Sequence, residues 1–543
     1  MCTSNVTKTD NPERRNRKSS RIFCGMASNI LKHLYLIFRT YLDMFIDIVF
    51  AFIFEGKRQA IPDLESRHAI LAQSAVSLAA KIRNKELTSQ ELVTACIERI
   101  KAVNPVLNAV VDERFEDALK EAKEIDKKIA EGLPKEYFEK KPFLGVPFTS
   151  KESQAVAGML HPLGLKSRAH VRANEDAECV RLMRESGAIP VAVTTVPEVN
   201  QWQETRSMVH GQTNNPYHTG RTTGGSSGGE AALAAALATP IALCSDIGGS
   251  TRMPAFYCGL YGFKATPGYT SIKGTCLRSG LDPTMASIGF VSKHPVDQVP
   301  LTKIVAPTLD LDKHVDVKNV KYLYVETAQD LRVSPISKEL RQAMTRVIKK
   351  LTEQAPNTEC VPKEYSHAGL AYMFALWQHA MTKETLDFPA VLANNQGRPN
   401  AYVELVKKCL GLSQYTLAAV LKLFNDEVIP PINKEWAENL TKEFADDLTS
   451  ALGPNGVLLF PSAPAAAPYH YALFTRPFNF AYWAIINALH MPAVQVPLGL
   501  NSEGLPIGIQ VVAAPHNDAL ALAVAAHIGT TCGGYVPPCR IIE

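Results

Sequence analysis

TTGGSSGGEAALAAALATPIALCSDIGGSTR, residues 222–252, holds two serines between glycines, Ser226 in GGSSGG and Ser250 in GGST. The small residues from Ala231 to Leu237 predict a helix, and the apolar run from Pro240 to Cys244 predicts a strand. Glycine permits positive φ and a close approach of the backbone to a ligand. A serine on such a loop can be both exposed and rigid, and neighbouring backbone N–H groups can bind an oxyanion.

Predicted helices and strands alternate along most of the chain. Alternation of this kind predicts an α/β fold with a mixed, mostly parallel central sheet flanked by helices. Thr88 and Glu91 form a capping-box pattern at one helix start. Because neither a repeat nor a linker interrupts residues 66–540, we expect one catalytic domain there. The predicted helices are 76–84, 89–103, 113–131, 176–187 and much of 335–450; the predicted strands are 143–150, 189–195, 456–460, 493–499 and 507–513.

Composition and charge exclude several classes of protein. The 543 residues are 46% hydrophobic and 20% charged, as in globular domains. The net charge is +4, and residues 1–32 carry seven Lys and Arg against two acidic residues, so the body is nearly neutral and no nucleic-acid partner is expected. Residues 1–29 are predicted to be a basic disordered arm. The 11 cysteines include no C-x-x-C pair, so no zinc site is indicated.

Residues 30–56 are the best candidate for contact with a membrane. The run ILKHLYLIFRTYLDMFIDIVFAFIF, residues 30–54, is long enough to span a bilayer as a helix. Arg39, Asp43 and Asp47 are spaced by four, so they form one polar stripe on a helix. Three alternatives stay open: a spanning helix with a paired stripe, an amphipathic helix in the interface, and a buried helix of a globular domain.

The two serines differ in their local context. Residues 224–229 match G-x-S-x-G around Ser226 or Ser227, but a nucleophile elbow must follow a strand, and polar residues precede this run. Nor does the run end in G-K-[ST], as a phosphate loop does. Ser250 follows the predicted strand, so it is the better nucleophile. The N–H groups that could converge on one oxygen beside it are those of Ile247, Gly248, Gly249 and Ser250 itself.

A serine nucleophile also needs a base. One candidate is Lys151, at the end of a predicted buried strand, because burial disfavours the charged form of an amine. The alternatives are histidines, none in a recognisable setting: His161, His210, His218, His470 and His490.

With these motifs the chain resembles the amidase signature hydrolases. The resemblance rests on GVPFTSKES around Lys151, TGGSSGGE around Ser226, SDIGGSTRMPAFYCGLYGFKAT at 245–266, and the later MPAVQVPLGL and GLPIGIQVV. It implies a Ser–cisSer–Lys triad in which Ser250 is the nucleophile, Ser226 the bridging serine after a cis peptide bond, and Lys151 the base. The implied reaction is amide hydrolysis through an acyl-enzyme, with neither cofactor nor metal.

Three further residues are expected to support this centre. Ser227 is expected to support its loop by hydrogen bonding. Asp246 and Arg252 are expected to hold the loops as a buried ion pair rather than act directly in catalysis.

The segment 289–307 departs from the family pattern, and its prolines, Pro295 and Pro300, are expected to break the helix there.

Within the family, the N-terminal apolar segment resembles the membrane-associated fatty-acid amide hydrolase 2 group. That resemblance implies long-chain fatty acid amide substrates and an anchor helix in an intracellular membrane such as the endoplasmic reticulum or a lipid droplet. The alternatives are a glutaminase-type component of a tRNA amidotransferase, another amidase of small amides, and a non-catalytic anchored relative. A homodimer is an open expectation that no motif supports.

Overall fold

A computed structural model describes residues 12–428 and 430–542, with side chains from residue 30 onward. The chain folds around one 11-stranded sheet flanked by helices, which confirms the α/β class, and two short strands within residues 206–212 form a separate hairpin. The strands are β1 (Val110–Glu113), β2 (Pro147–Lys151), β3 (Ile189–Thr194), β4 (Arg206–Ser207), β5 (Gly211–Gln212), β6 (Ile241–Asp246), β7 (Tyr261–Lys264), β8 (Ser287–Ser292), β9 (Lys321–Tyr324), β10 (Lys363–Glu364), β11 (Gly456–Pro461), β12 (Ala493–Leu500) and β13 (Pro506–Ala513).

The helices account for most of the remaining chain. They are α1 (Pro12–Phe54), α2 (Ala75–Arg83), α3 (Ser89–Leu107), α4 (Phe115–Glu131), α5 (Lys135–Lys140), α6 (Glu178–Glu185), α7 (Gly228–Ala235), α8 (Arg252–Tyr257), α9 (Gln298–Val305), α10 (Lys338–Gln354), α11 (Met373–Met381), α12 (Phe388–Leu392), α13 (Ala401–Cys409), α14 (Leu417–Val428), α15 (Lys434–Leu452), α16 (Ala481–Ala488) and α17 (Asp518–Cys532). The capping box predicted at Thr88 and Glu91 is present at the start of α3.

The sheet is mixed, with the order β1-β3-β2-β6-β8-β7-β12-β13-β11-β9-β10. Parallel pairs join β3, β2 and β6 at one end and β11, β9 and β10 at the other. The strands from β6 through β8, β7, β12 and β13 to β11 pair antiparallel. The sheet is therefore mixed as predicted: parallel pairs lie on both sides of an antiparallel centre, and the edge strand β1 pairs antiparallel with β3. In the centre, short connections such as that between β12 and β13 favour antiparallel neighbours.

The two largest hydrophobic clusters form most of the core, and the loop after β6 lies between them. One contains side chains from α2, α3, α4, α6 and α7 with β2, β3 and β6, and the other contains most of the C-terminal half. Ile247, just after β6, packs against both. The segment around Ser250 is therefore supported from two sides by packed elements.

The segment 289–307 contradicts the prediction that its prolines break the helix. Pro295 starts a 3₁₀ turn, and Pro300 is the third residue of α9. The N–H groups of the first helical turn have no partner within the helix, so a proline at this position removes no intrahelical hydrogen bond.

Helix α1 carries its polar stripe against the body of the protein. Asp43 accepts a hydrogen bond from Arg39 at 3.2 Å and one from Arg476 at 3.1 Å, and Asp47 pairs with Arg476 at 2.8 Å. Within the described ranges 12–428 and 430–542, no helix combines the length and the apolar character needed to cross a membrane.

The start of α1 also corrects the prediction of a disordered arm. Residues 1–11 lie outside the described residues, but residues 12–29 continue the helix. Extending a helix that already exists avoids the unfavourable nucleation step, so a polar segment can join it.

Candidate active site

The parallel pairing of β2 with β6 brings the candidate base to the serine loops. Ser150 is the partner of Leu243 in this pair, so both strands end at the same edge of the sheet. Lys151 closes β2, and its Nζ donates to Ser226 Oγ at 2.8 Å and to Ser245 Oγ at 3.2 Å. The structure thus joins the predicted base to the predicted bridging serine.

Lys151 is fully buried. Burial lowers its pKa from the ordinary 10.5 because desolvation penalises the ammonium, and nearby acidic groups only partly oppose this effect. The amine therefore reaches its neutral, proton-accepting form at a lower pH than a lysine in water does.

The loop before α7 holds Ser226 through its backbone. The peptide bond between Gly225 and Ser226 is cis, as the resemblance implied. A Cβ on Gly225 would lie 2.2 Å from the carbonyl oxygen of Trp202, so only glycine fits against that segment. The N–H of Ser227 donates to the carbonyl of Ser250 at 3.2 Å and ties the two serine loops together.

The role expected of the Ser227 side chain is not observed. Its hydroxyl is buried and has no hydrogen-bond partner among the described residues. The support that Ser227 gives to the loop comes from its backbone N–H instead.

The loop from Ile247 to Ser250 offers fewer free N–H groups than predicted. The N–H of Gly249 donates to Asp246 Oδ1 at 2.8 Å, so this group is not available to an oxyanion. The N–H groups of Ile247, Gly248 and Ser250 have no acceptor among the described residues. Gly249 has φ +108° and lies so close to Trp483 that a Cβ would be 2.4 Å from the Trp483 Cβ.

Asp246 and Arg252 form the expected buried ion pair, with 3.1 Å between Arg252 Nη2 and Asp246 Oδ1. The carboxylate of Asp246 also accepts from the backbone N–H groups of Thr251 and Arg252. Burial alone would raise the pKa of Asp246, but the Arg252 guanidinium and the hydrogen bonds outweigh it and lower the pKa to about 2. The pair therefore stays ionised and holds the turn on both sides of Ser250.

Glu230, in the first turn of α7, connects the loop that carries Ser226 to the sheet. Its carboxyl group accepts from the hydroxyls of Thr149 on β2 and Thr194 on β3, each at 2.7 Å. Burial raises the pKa of Glu230 to about 8. A protonated, hydrogen-bonded carboxyl group fits a structural role better than that of a base.

None of the candidate histidines is hydrogen-bonded to Ser226 or Ser250 within the described part of the chain. His470 Nε2 contacts the Thr219 carbonyl at 2.9 Å, and burial lowers the pKa of His470 to about 3. His161 contacts the Ser153 carbonyl at 3.4 Å. Lys151 is therefore the base that the geometry favours.

Sequence reasoning missed two contacts of this site. Ser245, one residue beyond the predicted strand, lies on β6 and accepts a hydrogen bond from Lys151. Trp377 on α11 donates from Nε1 to the carbonyl of Ile247 at 3.0 Å. The apolar run before Ser250 could have been extended to include Ser245, but no local pattern links Trp377 to Ile247.

Aromatic side chains pack beside the same loop. Trp377 meets Phe480 edge to face at 4.9 Å, and Phe374 meets Phe478 at 4.7 Å. Phe478 and Phe480 are partly buried, so an apolar wall that solvent can reach begins next to Ile247.

Comparison with known proteins gives consistent matches over nearly all of the body. The family model described as Amidase matches residues 91–522. Fatty-acid amide hydrolase 2 of Homo sapiens is 38% identical over 86% of this chain and 91% of its own length. An acylamidase of Rhodococcus erythropolis is 27% identical over 84% of this chain and 94% of its own length. A solved structure of fatty acid amide hydrolase superposes with a TM-score of 0.69 at 20% identity, covering 87% of each chain.

Proposed function

The chain belongs to the amidase family and is an amide hydrolase, and we propose that it cleaves the amide bond of fatty acid amides through an acyl-enzyme on Ser250. One observation carries this proposal: the buried Lys151 amine donates to Ser226 Oγ at 2.8 Å, in a loop whose backbone is tied to Ser250. The 38% identity to fatty-acid amide hydrolase 2 supports the class of substrate.

In the proposed mechanism the neutral Lys151 amine takes a proton from Ser226, and Ser226 takes one from Ser250. The Ser250 oxygen attacks the amide carbonyl, and the negative charge on the carbonyl oxygen is stabilised by the N–H groups of Ile247, Gly248 and Ser250. Ser226 returns a proton to the leaving amine as the carbon–nitrogen bond breaks. Water then attacks the ester on Ser250, its proton leaves along the same path, and the fatty acid and free serine are released.

The mechanism requires a hydrogen bond from the Ser250 hydroxyl to the Ser226 hydroxyl, and this hydrogen bond is part of the proposal. Within the described residues, the two loops are joined by the Ser227 N–H and the Ser250 carbonyl, not by the two hydroxyls. Catalytic hydrogen bonds are often long before substrate binds, so we expect the Ser250 hydroxyl to turn towards Ser226 in the substrate complex.

An apolar acyl chain fits the aromatic wall beside the oxyanion loop. Phe374, Phe478 and Phe480 are partly buried. Phe374 and Phe480 contact Trp377, whose indole donates to Ile247, and Phe478 packs on Phe374. We propose that the first carbons of the acyl chain pack there. Tyr482 and Trp483, also aromatic and nearby in sequence, are fully buried in the core and are not part of this wall.

We further propose that α1 lies on a membrane surface with its apolar face in the lipid. Phe52 is 93% exposed, and the other large side chains of this face are also exposed, whereas the opposite polar stripe is bound to Arg476. An apolar helix face of this extent is costly in water and typical of helices in the interface. The face comprises Leu31, Leu34, Phe38, Tyr41, Phe45, Ile48 and Phe52.

Covalent labelling and a substrate screen test the proposed function. A fluorophosphonate probe should label the wild-type protein and fail to label Ser250→Ala; labelling that persists in the variant would exclude Ser250 as the nucleophile. In the screen, oleamide and oleoyl ethanolamide should be hydrolysed faster than short aryl amides. Preferred release of ammonia from glutamine would favour the tRNA amidotransferase alternative instead, and preferred cleavage of aryl amides would favour an amidase of small amides.

A further inference from the structure

Trp377 on α11 closes one side of the oxyanion loop. Its Nε1–H donates to the carbonyl oxygen of Ile247 at 3.0 Å, and the side chain is largely buried. A Cβ on Gly248 would lie 3.1 Å from an indole ring carbon and 3.2 Å from Nε1. The ring therefore lies directly against the peptide group that links Ile247 to Gly248.

This peptide group carries the carbonyl of Ile247 at one end and the N–H of Gly248 at the other. Peptide groups are planar, and this one is trans, because the cis bond identified in the described chain is that before Ser226. In a trans peptide the C=O and N–H bonds point in opposite directions. A hydrogen bond that holds the carbonyl towards α11 therefore directs the Gly248 N–H away from α11, where it has no acceptor within the described residues.

The rest of the turn is held by other groups. The Asp246 carboxylate binds the N–H groups of Gly249, Thr251 and Arg252, all on the far side of Gly248. No other hydrogen bond to the Ile247 carbonyl is found in the described part of the chain. Gly248 itself has no side chain that restricts its backbone. Within the described residues, the indole therefore supplies the one hydrogen bond that fixes the carbonyl end of this peptide group.

From these contacts we propose that Trp377 is a positioning residue that aims and polarises the Gly248 N–H towards the oxyanion formed on the substrate. The proposal rests on the proposed hydrolysis at Ser250. A hydrogen bond accepted by the carbonyl of a peptide group strengthens the N–H of the same group as a donor. Trp377 would then act mainly in the transition state, where the negative charge develops, rather than in binding the acyl chain.

Replacing Trp377 by Phe tests this role, because it keeps an aromatic ring against Phe480 and removes the N–H. Losing an oxyanion donor outright lowers kcat by about 100- to 1000-fold. Misaiming one donor among three should cost less, so we expect Trp377→Phe to lower kcat about 10- to 100-fold on oleamide with KM changed less than about threefold. A side chain that only lined the acyl channel would change KM or the preferred chain length instead.

Trp436→Phe is the matched control. Trp436 lies on α15, its side chain is 39% exposed, and its ring meets Tyr372 edge to face at 5.1 Å. The same chemical change at this position should leave kcat within about twofold of wild type.

Inhibitor binding gives a second measurement that does not depend on how much of the variant folds. A fatty acyl trifluoromethyl ketone forms a tetrahedral oxyanion on the serine, whereas the fatty alcohol of equal length does not. In Trp377→Phe the Ki of the ketone should rise by about the factor by which kcat/KM falls, and the Ki of the alcohol should stay nearly constant.

Three outcomes would overturn the inference: kcat within twofold of wild type, a change confined to KM, or equal changes in the two Ki values. If these occur while labelling still requires Ser250, the proposed function stands and only the role of Trp377 fails. Labelling independent of Ser250 would refute the proposed function instead.

Discussion

Removing the charge of Asp246 should destabilise the whole protein as well as the catalytic turn. Asp246→Asn keeps the size of the side chain but leaves the fully buried guanidinium of Arg252 with neutral partners among the described residues: Asn487, Gln510 and the Trp483 carbonyl. Removing one partner of a buried ion pair typically costs about 3–5 kcal/mol. The pKa of Asp246 is about 2, against an ordinary 3.8. This difference means that folding stabilises the ionised carboxylate over the neutral carboxyl group by about 2 kcal/mol. We therefore expect Asp246→Asn to lower the free energy of unfolding by about 2–5 kcal/mol.

The measurement is a urea titration of the full chain in detergent, in which tryptophan fluorescence reports unfolding. The free energies of unfolding of variant and wild type are compared with the same dependence on urea concentration. Asp312→Asn is the control, because its ion pair with Lys303 is exposed and should contribute less than about 1 kcal/mol. A loss below about 1 kcal/mol in Asp246→Asn would refute the argument, since the Arg252 charge would then be satisfied without a carboxylate. The pH dependence offers a further check: the contribution of Asp246 is fully present above pH 3.8 and should be lost as pH falls towards 2.

Two other features give predictions. In the pH profile of activity, kcat/KM should rise as pH increases through the lowered pKa of Lys151, which lies below the ordinary lysine pKa of 10.5. Lys151→Met should lower kcat about 100- to 10000-fold and remove this rise. If the variant retained the rise, the base would be a different residue. Replacing Phe38, Phe45 and Phe52 together by Asn should reduce co-sedimentation with phosphatidylcholine vesicles at least fivefold. The rate of hydrolysis of a soluble short-chain amide should stay unchanged. Undiminished vesicle binding would place the membrane contact elsewhere on the protein.

Local patterns predicted much of the fold correctly. The capping box at Thr88 and Glu91 and the apolar run before Ser250 both became the expected elements, because each depends on residues within a few positions of one another. The prediction at Pro300 was wrong because a proline is harmful only after the first helical turn, and the sequence alone did not locate where α9 begins. The sequence predicted a mixed sheet without assigning the direction of each strand, since pairing depends on how the chain turns between distant segments.

In the candidate site, too, the sequence identified the residues but not their detailed contacts. The sequence supplied Lys151, Ser226 and Ser250 through their motifs and the family resemblance, and it supplied Asp246 with Arg252 as the supporting pair. The structure corrected the details: the Gly249 N–H binds Asp246, and Ser227 supports the loop through its backbone. These outcomes depend on which way individual peptide groups face, and glycine-rich sequence permits several orientations.

By itself, then, the sequence determined the α/β class, the family and the three residues proposed for catalysis. The class follows from local helix and strand patterns repeated along the chain, and the family and the three residues follow from short motifs. Only the tertiary structure decided that Trp377 donates to Ile247, 130 positions away, and that Arg476 binds Asp43, 433 positions away. Such contacts form when packed elements meet, and their free energy depends on distance and burial rather than on separation along the chain. The orientation of the oxyanion loop and the outward apolar face of α1 are therefore properties of the packed molecule.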